Sequence, residues 1–171
     1  MSESHAADRA PVLGGATDGA GIVPLPADVE QPAPEGGDGI TVIRGSGLCR
    51  GWNNIRYKAG MSAGNVGSRK LSMNVATIPP GGVAFAHIHV DFEVMLYILQ
   101  GRVRHEYGPG LTQSVENEAG DFIFIEPGVP HEVFNASDTE PVVAVVARSD
   151  ASEWENIVDY DRSTGSTIPR R

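Results

Sequence analysis

The sequence has little of three things: cysteine, aromatic side chains and long apolar runs. Its 171 residues include one cysteine, Cys49, so the chain cannot form an internal disulfide, which fits a reducing compartment. No run approaches the roughly 20 consecutive apolar residues of a membrane helix. The first residues lack the basic-then-apolar pattern of a secretory signal. These absences predict a cytoplasmic protein with no membrane partner.

Positive charge is also scarce. The chain has 13 Lys and Arg against 22 Asp and Glu, which gives a formal net charge of −9. Most of this charge lies in residues 1–40, where seven acidic residues accompany Arg9. Because an acidic surface repels the phosphates of duplex nucleic acid, we predict no nucleic-acid partner.

The distribution of apolar residues predicts a single all-β domain. Residues 1–38 are rich in Gly, Pro and acidic residues without helical or strand period, which is typical of a disordered, mobile arm. Residues 39–162 contain short apolar or alternating segments between turn residues, which indicates a β-sandwich or barrel. We predict strands at 40–45, 71–79, 84–90, 92–101, 102–108, 113–120, 121–128, 131–137 and 141–148.

Three other segments lack a strand pattern. The polar, Gly-rich stretch 45–69 has no clear period, and its placement does not follow from the sequence. Residues 150–160 favour one helical turn, since Asp150 and Ser152 are suitable caps. We predict a polar C-terminal tail at 163–171.

Four residues form a candidate metal site. His87 and His89 lie two positions apart on a predicted strand, so their side chains leave the same face. Glu93 follows shortly after, and His131 lies on another strand. Together they offer nitrogen and oxygen ligands suited to Mn, Fe, Co, Ni, Cu or Zn. The His pair alone is equally compatible with histidines that are hydrogen-bonded in a core.

The spacing around these residues resembles the cupin superfamily over residues 71–156. The first cupin motif places His-x-His five residues after a glycine, then a glutamate and a closing glycine, and the chain has matching residues at Gly81, His87, His89, Glu93 and Gly101. The second motif is matched, with Glu126 in place of its first proline, by Gly120, Pro127, Gly128, His131 and Asn135.

One spacing departs from the motif. Seven residues rather than six separate Glu93 from Gly101, so Glu93 lies one position early. If Gly101 fixes the strand register, Glu93 points outward unless a bulge adds a residue. We predict a bulge near 91–94, and without Glu93 a three-His site would remain.

The resemblance implies a cupin double-stranded β-helix, a jelly-roll barrel, that binds one divalent transition metal ion through His87, His89, Glu93 and His131. Mn or Fe is the preferred ion, and Ni, Co, Cu or Zn are alternatives. Inward side chains would surround the metal: Met73 or Asn74, Phe85, Tyr97, Phe122 or Phe124, Val133 and Val145. Small cupins commonly pair, so we also expect a homodimer. His5 and His105 have no ligand spacing, and His105 is expected to be half-exposed on its strand.

The function that the resemblance implies is a metal-dependent oxidoreductase of dioxygenase or oxidase type. Its substrate would be a small chelating organic acid or dicarbonyl, since a cationic site favours an anionic ligand. A non-redox lyase or isomerase is the alternative, with Tyr97 or Asp91 as the general base, and a non-catalytic small-ligand-binding cupin is another. Arg148 could clamp a substrate carboxylate or pair with Asp150, Glu153 or Glu155.

Overall fold

A computed structural model describes residues 22–23, 33–44, 49–52, 55–152 and 156–168. Their strands are β1 Ile22–Val23, β2 Glu35–Gly37, β3 Ile40–Val42, β4 Cys49–Trp52, β5 Ile55–Met61, β6 Ser72–Ile78, β7 Val83–His89, β8 Val94–Gln100, β9 Arg102–Tyr107, β10 Gln113–Glu118, β11 Phe122–Ile125, β12 His131–Asn135, β13 Val142–Arg148, β14 Ile157–Asp161 and β15 Ser166–Ile168. A one-turn helix, α1, spans Ala63–Val66, and a 3-10 turn spans Pro109–Leu111.

Two antiparallel sheets form a β-sandwich. The seven-stranded sheet has the order β1-β4-β5-β6-β13-β8-β11, and the six-stranded sheet has the order β10-β9-β12-β7-β14-β15. Strands β2 and β3 form a separate hairpin. Alternate side chains of both sheets point into one buried core, as the strict in-out burial of β6 and β13 shows.

The strands predicted over residues 71–148 are confirmed, whereas several other segments differ from prediction. The stretch 45–69 contributes β4 and β5 to the seven-stranded sheet. Residues 157–161 form strand β14 rather than a helical turn, because they pair with β7. Ser166–Ile168, predicted as tail, pairs with β14. Most of the predicted arm 1–38 lies outside the described residues, although Ile22–Val23 pairs with β4. None of the helices in the described ranges is long and apolar enough to cross a membrane.

Gly101 closes the tight connection between β8 and β9. Its φ of +85° is unfavourable for other residues, and a methyl group there would lie 2.6 Å from the Pro141 carbonyl oxygen. We expect Gly101→Ala to lower the free energy of unfolding by about 2 kcal/mol or more, measured by urea denaturation. Gly120 is the control, since its φ is +103° but no atom lies within 4 Å of such a methyl group. An equal loss in both variants would contradict the role of the steric clash.

Candidate metal site

The structure brings three of the four predicted ligands together. His87 and His89 on β7 and His131 on β12 are buried, and each offers a ligand atom within 4.8 Å of the other two. Their ring centroids are 4.3 to 5.0 Å apart. The convergence follows from the register, because His131 pairs directly with His87 across the two strands. The alternation along β7 turns His89 to the same face.

Backbone carbonyls orient two of these rings. Nδ1 of His87 lies 2.8 Å from the Phe85 carbonyl oxygen, and Nδ1 of His131 lies 2.9 Å from that of Val129. A carbonyl can only accept, so each Nδ1 carries the proton and the lone pair lies on Nε2. His89 stacks on Phe92 with centroids 4.9 Å apart, and its buried Nδ1 has no hydrogen-bond partner in the described part of the chain.

Two of the three rings are neutral at physiological pH. Burial lowers the pKa of His131 to about 4, partly offset by the hydrogen bond to Val129. Burial also strongly lowers the pKa of His89, and the charges of His87, His131 and Arg148 act in the same direction. Neutral imidazoles with lone pairs on converging nitrogens are the form that a transition metal binds. The residues present therefore fit a divalent metal ion held by three histidines.

Glu93 is not part of this cluster, which corrects the predicted ligand set. Its side chain is exposed, whereas the next residue, Val94, is 2 % exposed and lines the interior cavity. Val94 begins β8 and pairs with Arg148 and Ile125, so the register of both neighbouring strands turns it inward. The pairings of β8 with its two neighbours show no bulge at its start. The extra residue is instead accommodated beside Leu99, where the pairing with β13 shifts.

The two general-base candidates also lie outside the cavity. Asp91 is exposed at the bend that follows β7. Tyr97 points to the outer face of the seven-stranded sheet, where its ring packs on Phe122 with centroids 4.6 Å apart. Phe122 is 81 % exposed, and Phe85 and Phe124 are also exposed, so these predicted neighbours of the metal are wrong. Val133 does line the cavity, as predicted.

Arg148 lies inside the barrel and lines the same cavity as the three histidines. It is 3 % exposed, and its guanidinium carbon lies 5.8 Å from the centroid of the Tyr57 ring. Burial raises the pKa of Tyr57 to about 12, although the charge of Arg148 acts against this shift. The carboxylate of Asp150, one predicted partner of Arg148, accepts hydrogen bonds from Ser152 and Asn156. Glu153 and Glu155 lie outside the described residues.

Sequence reasoning missed two cavity residues, His105 and Tyr57. His105 is 4 % exposed rather than half-exposed, and burial lowers its pKa to about 4, with His131 adding to this shift and Asn117 opposing it. Alternation with the buried Val103 was the available signal, since residues two apart share a face. Tyr57 gave no comparable signal, because its segment has no apolar period.

The cavity has a volume of about 60 Å³. That is room for about four waters or a molecule of similarly few non-hydrogen atoms. No Asp or Glu lines it within the described ranges. Its polar lining consists of Tyr57, Arg148 and four histidines, and its apolar lining is Ile55, Ala76, Ile78, Ala84, Val94, Leu96, Ile98, Val103, Ile125, Val133, Val142, Ala144 and Val146.

Comparisons with known proteins agree with this architecture. A family model described as a cupin domain matches residues 74–148, which contain the three clustered histidines. No curated protein matches the chain.

Solved structures with the same fold include three cupins of low sequence identity. The Schizosaccharomyces pombe Cnp3 cupin domain has a TM-score of 0.52 and 11 % identity, over 63 % of this chain and 72 % of its own. An oxalate oxidase has a TM-score of 0.53 and 23 % identity, over 63 % of this chain and 55 % of its own. The Bacillus subtilis oxalate decarboxylase, studied for its Mn(II) centres, has a TM-score of 0.52 and 19 % identity, over 65 % of this chain and 28 % of its own.

The chain thus spans about half the length of the oxalate oxidase and under a third of the decarboxylase. At these identities the likeness concerns the fold alone, a double-stranded β-helix. The family match over residues 74–148, the two sheets and the converging histidines agree with a cupin domain over this part of the chain.

Proposed function

We propose that this protein is a metal-dependent oxidoreductase that acts on a small anionic organic acid. The observation that carries the proposal is the composition of the cavity: three converging imidazoles and a buried guanidinium, with no carboxylate in the described lining. Imidazole ligands are neutral and leave both charges of a divalent ion uncompensated, and Arg148 adds a third positive charge. An anionic ligand is therefore strongly favoured there.

The metal that we propose is Mn(II) or Fe(II), held by His87, His89 and His131. Such an ion would supply open coordination positions and redox chemistry with dioxygen as the oxidant. The oxalate oxidase and the oxalate decarboxylase with Mn(II) centres support this choice as structural neighbours. The cavity of about 60 Å³ limits the ligand to a few carbon atoms.

This chain's own residues would bind and orient the acid. Arg148 can hold a carboxylate by two parallel hydrogen bonds, since guanidinium and carboxylate match in shape. The guanidinium of Arg148 lies over the Tyr57 ring, with its carbon 5.8 Å from the ring centroid, and burial keeps the Tyr57 phenol protonated. The apolar remainder of the lining excludes water, which strengthens both interactions.

A lyase or isomerase is less well supported than redox chemistry, because it requires a general base and both candidates, Asp91 and Tyr97, point away from the cavity. A non-catalytic binding protein would use the same cavity without turnover.

The test is oxygen uptake by protein purified without chelator and reloaded with one metal at a time. We expect the Mn(II) or Fe(II) form to consume oxygen with oxalate, glycolate or another acid of two or three carbons. Turnover without oxygen would replace the proposal by the lyase alternative. Tight binding of the acids without turnover under any metal would replace it by the binding-protein alternative.

We also propose that the protein is a homodimer whose interface is the outer face of the seven-stranded sheet. Phe124, Met95, Ala147 and Met73 form one row across four neighbouring strands of this face. A second row, Phe122, Tyr97, Val145 and Val75, runs beside it. Neither row contains a charged residue. Exposed apolar patches of several hundred Å² mark interaction surfaces.

The occupant that fits this outer face is a second copy of the chain. The two rows expose on the order of 600 Å² of apolar surface, close to the roughly 800 Å² that each partner buries in a standard interface. A two-fold axis through the face would place the rows of one protomer against those of the other, so the same residues serve both sides.

The cytoplasmic location remains a prediction from the sequence.

We expect Phe122→Asp to convert a micromolar dimer into a monomer, because two carboxylates would be buried without partners. Sedimentation equilibrium measures the change. Val115→Asp is the matched control, since Val115 is 42 % exposed on the other sheet and should leave the dimer intact. A wild-type protein that is monomeric at all concentrations, or dimers in both variants, would contradict this interface.

A further inference from the structure

The buried imidazole of His105 is not explained by the three-histidine cluster. It lies on β9, faces the same cavity and is 4 % exposed. Neither of its ring nitrogens has a hydrogen bond of ordinary length and angle among the described residues, although a weaker contact with the Asn117 side chain acts on its pKa as a hydrogen bond. Asn117 is close enough to affect its pKa, but the Oδ1 of Asn117 is also buried without a hydrogen bond of ordinary length and angle. Buried polar groups are rarely left in this state, because each unmade hydrogen bond is costly.

The register places His105 one step further into the barrel than the metal site. His105 pairs with Val133, two residues along β12 from His131. Diagonal neighbours on one face of a sheet are about 7 to 8 Å apart, so the two imidazoles lie within the span of one small molecule. On β7 the residue opposite Val133 is Ala84, whose small side chain leaves room between them. Ala84 lines the cavity that connects the two places.

We propose that His105 binds the second polar group of a small acid whose carboxylate is held by Arg148 beside the three-histidine site, so that the cavity selects bifunctional acids. This inference rests on the proposed function and narrows its substrate class to hydroxy-, oxo- or dicarboxylic acids of two or three carbons. A neutral imidazole has one N–H donor and one acceptor nitrogen. It can therefore donate to a carbonyl or carboxylate oxygen, or accept from a hydroxyl group.

An apolar acid of the same size cannot satisfy His105. It would bury the imidazole against a methyl or methylene group and leave both ring nitrogens without partners. Sites built to hydrogen-bond a substrate group reject analogues that lack the group much more strongly than apolar sites discriminate by size. We therefore expect His105 to favour bifunctional acids over apolar acids of the same size, in addition to any preference that comes from chelation of the metal.

The test compares two isosteric acids, glycolate and propionate, which differ only in a hydroxyl and a methyl group. Binding of each to the full-length, Mn(II)-loaded protein is measured by calorimetry, in the wild type and in His105→Phe. We expect the ratio of the glycolate affinity to the propionate affinity to fall about 10-fold or more in His105→Phe, while the affinity for Mn(II) changes less than two-fold. A preference that came from chelation alone would be the same in both proteins.

Two further variants guard against a general loss of structure. His105→Gln keeps a hydrogen-bonding group and should retain part of the preference for glycolate. Ile157→Val alters a buried residue on β14 outside the cavity lining and should leave the ratio unchanged.

An unchanged ratio in His105→Phe would overturn the assignment of His105 and leave the proposed oxidoreductase standing. Failure of the wild type to bind either acid would overturn both proposals. Binding with the expected ratio but without oxygen uptake would overturn only the redox function and support the role of His105.

Discussion

Replacing His131 by alanine is expected to abolish stoichiometric binding of Mn(II), with an affinity loss of at least about 100-fold. Changes to residues that merely support metal ligands already cost about 10- to 100-fold. His131 is one of the three proposed ligands, and it lies on β12 opposite His87 of β7, so its loss leaves two imidazoles on one strand. Metal content by mass spectrometry after dialysis, and calorimetric titration of the metal-free protein, measure the effect.

Glu93→Gln is the matched variant for this experiment. Because the Glu93 side chain is exposed and the neighbouring Val94 faces the cavity, we expect wild-type metal content and affinity. A loss of metal in Glu93→Gln comparable to that in His131→Ala would show that the carboxylate turns inward when metal binds, contrary to the register seen for β8. Circular dichroism of both variants establishes that each is folded before the comparison is made.

The second large effect is a loss of stability of the metal-free protein as the pH falls from about 6.5 to 4. The pKa values of His131 and His105 are lowered to about 4 in the fold, from the ordinary value of 6.5. Above pH 6.5 neither the folded nor the unfolded chain is protonated at these residues, so their contribution to stability is fully present. Below pH 6.5 the unfolded chain binds protons at these histidines and the folded chain does not, which favours unfolding.

Each of these two histidines should remove about 3 kcal/mol by pH 4, since one pKa unit corresponds to about 1.4 kcal/mol. Glu132 opposes the trend, because burial raises its pKa in the fold. Urea denaturation of the metal-free protein at pH 7, 6, 5 and 4 measures the slope. His105→Phe is the control. Its free energy of unfolding should fall less steeply with pH, because one of the two histidines no longer contributes. Stability that is constant or rises over this range would contradict neutral, buried imidazoles.

Local patterns were sufficient for much of the fold and for three of the ligands. Alternation and turn residues determined the strands over residues 71–148, because the chain there buries one face of each strand and turns at Gly and Pro. His87 and His89 had to share a face, since side chains two residues apart on a strand do so in any sheet. The position of His131 followed from the second motif, without any knowledge of which strand lies beside β7.

The pairing register of the strands could not be determined from local sequence patterns. Whether Glu93 or Val94 faces the cavity depends on the pairing of β8 with β13 and β11, and the extra residue is accommodated at Leu99 rather than at 91–94. In the segment DFIFI every residue after Asp121 is apolar, so the sequence offers no reason to turn Ile125 inward and Phe122 outward. A shift of one residue exchanges the two faces at little local cost, and only the neighbouring strands decide between them.

The sequence by itself therefore determined a β-domain and three imidazoles suited to one metal ion. The tertiary structure alone decided that no carboxylate joins them in the described cavity, that Arg148, Tyr57 and His105 face it, and that a row of aromatic and methionine side chains remains outside. The physical reason is that two properties of a strand have different origins. Which residues share a face follows from the alternation along the strand itself, whereas which of the two faces is buried depends on pairing between segments far apart in the chain.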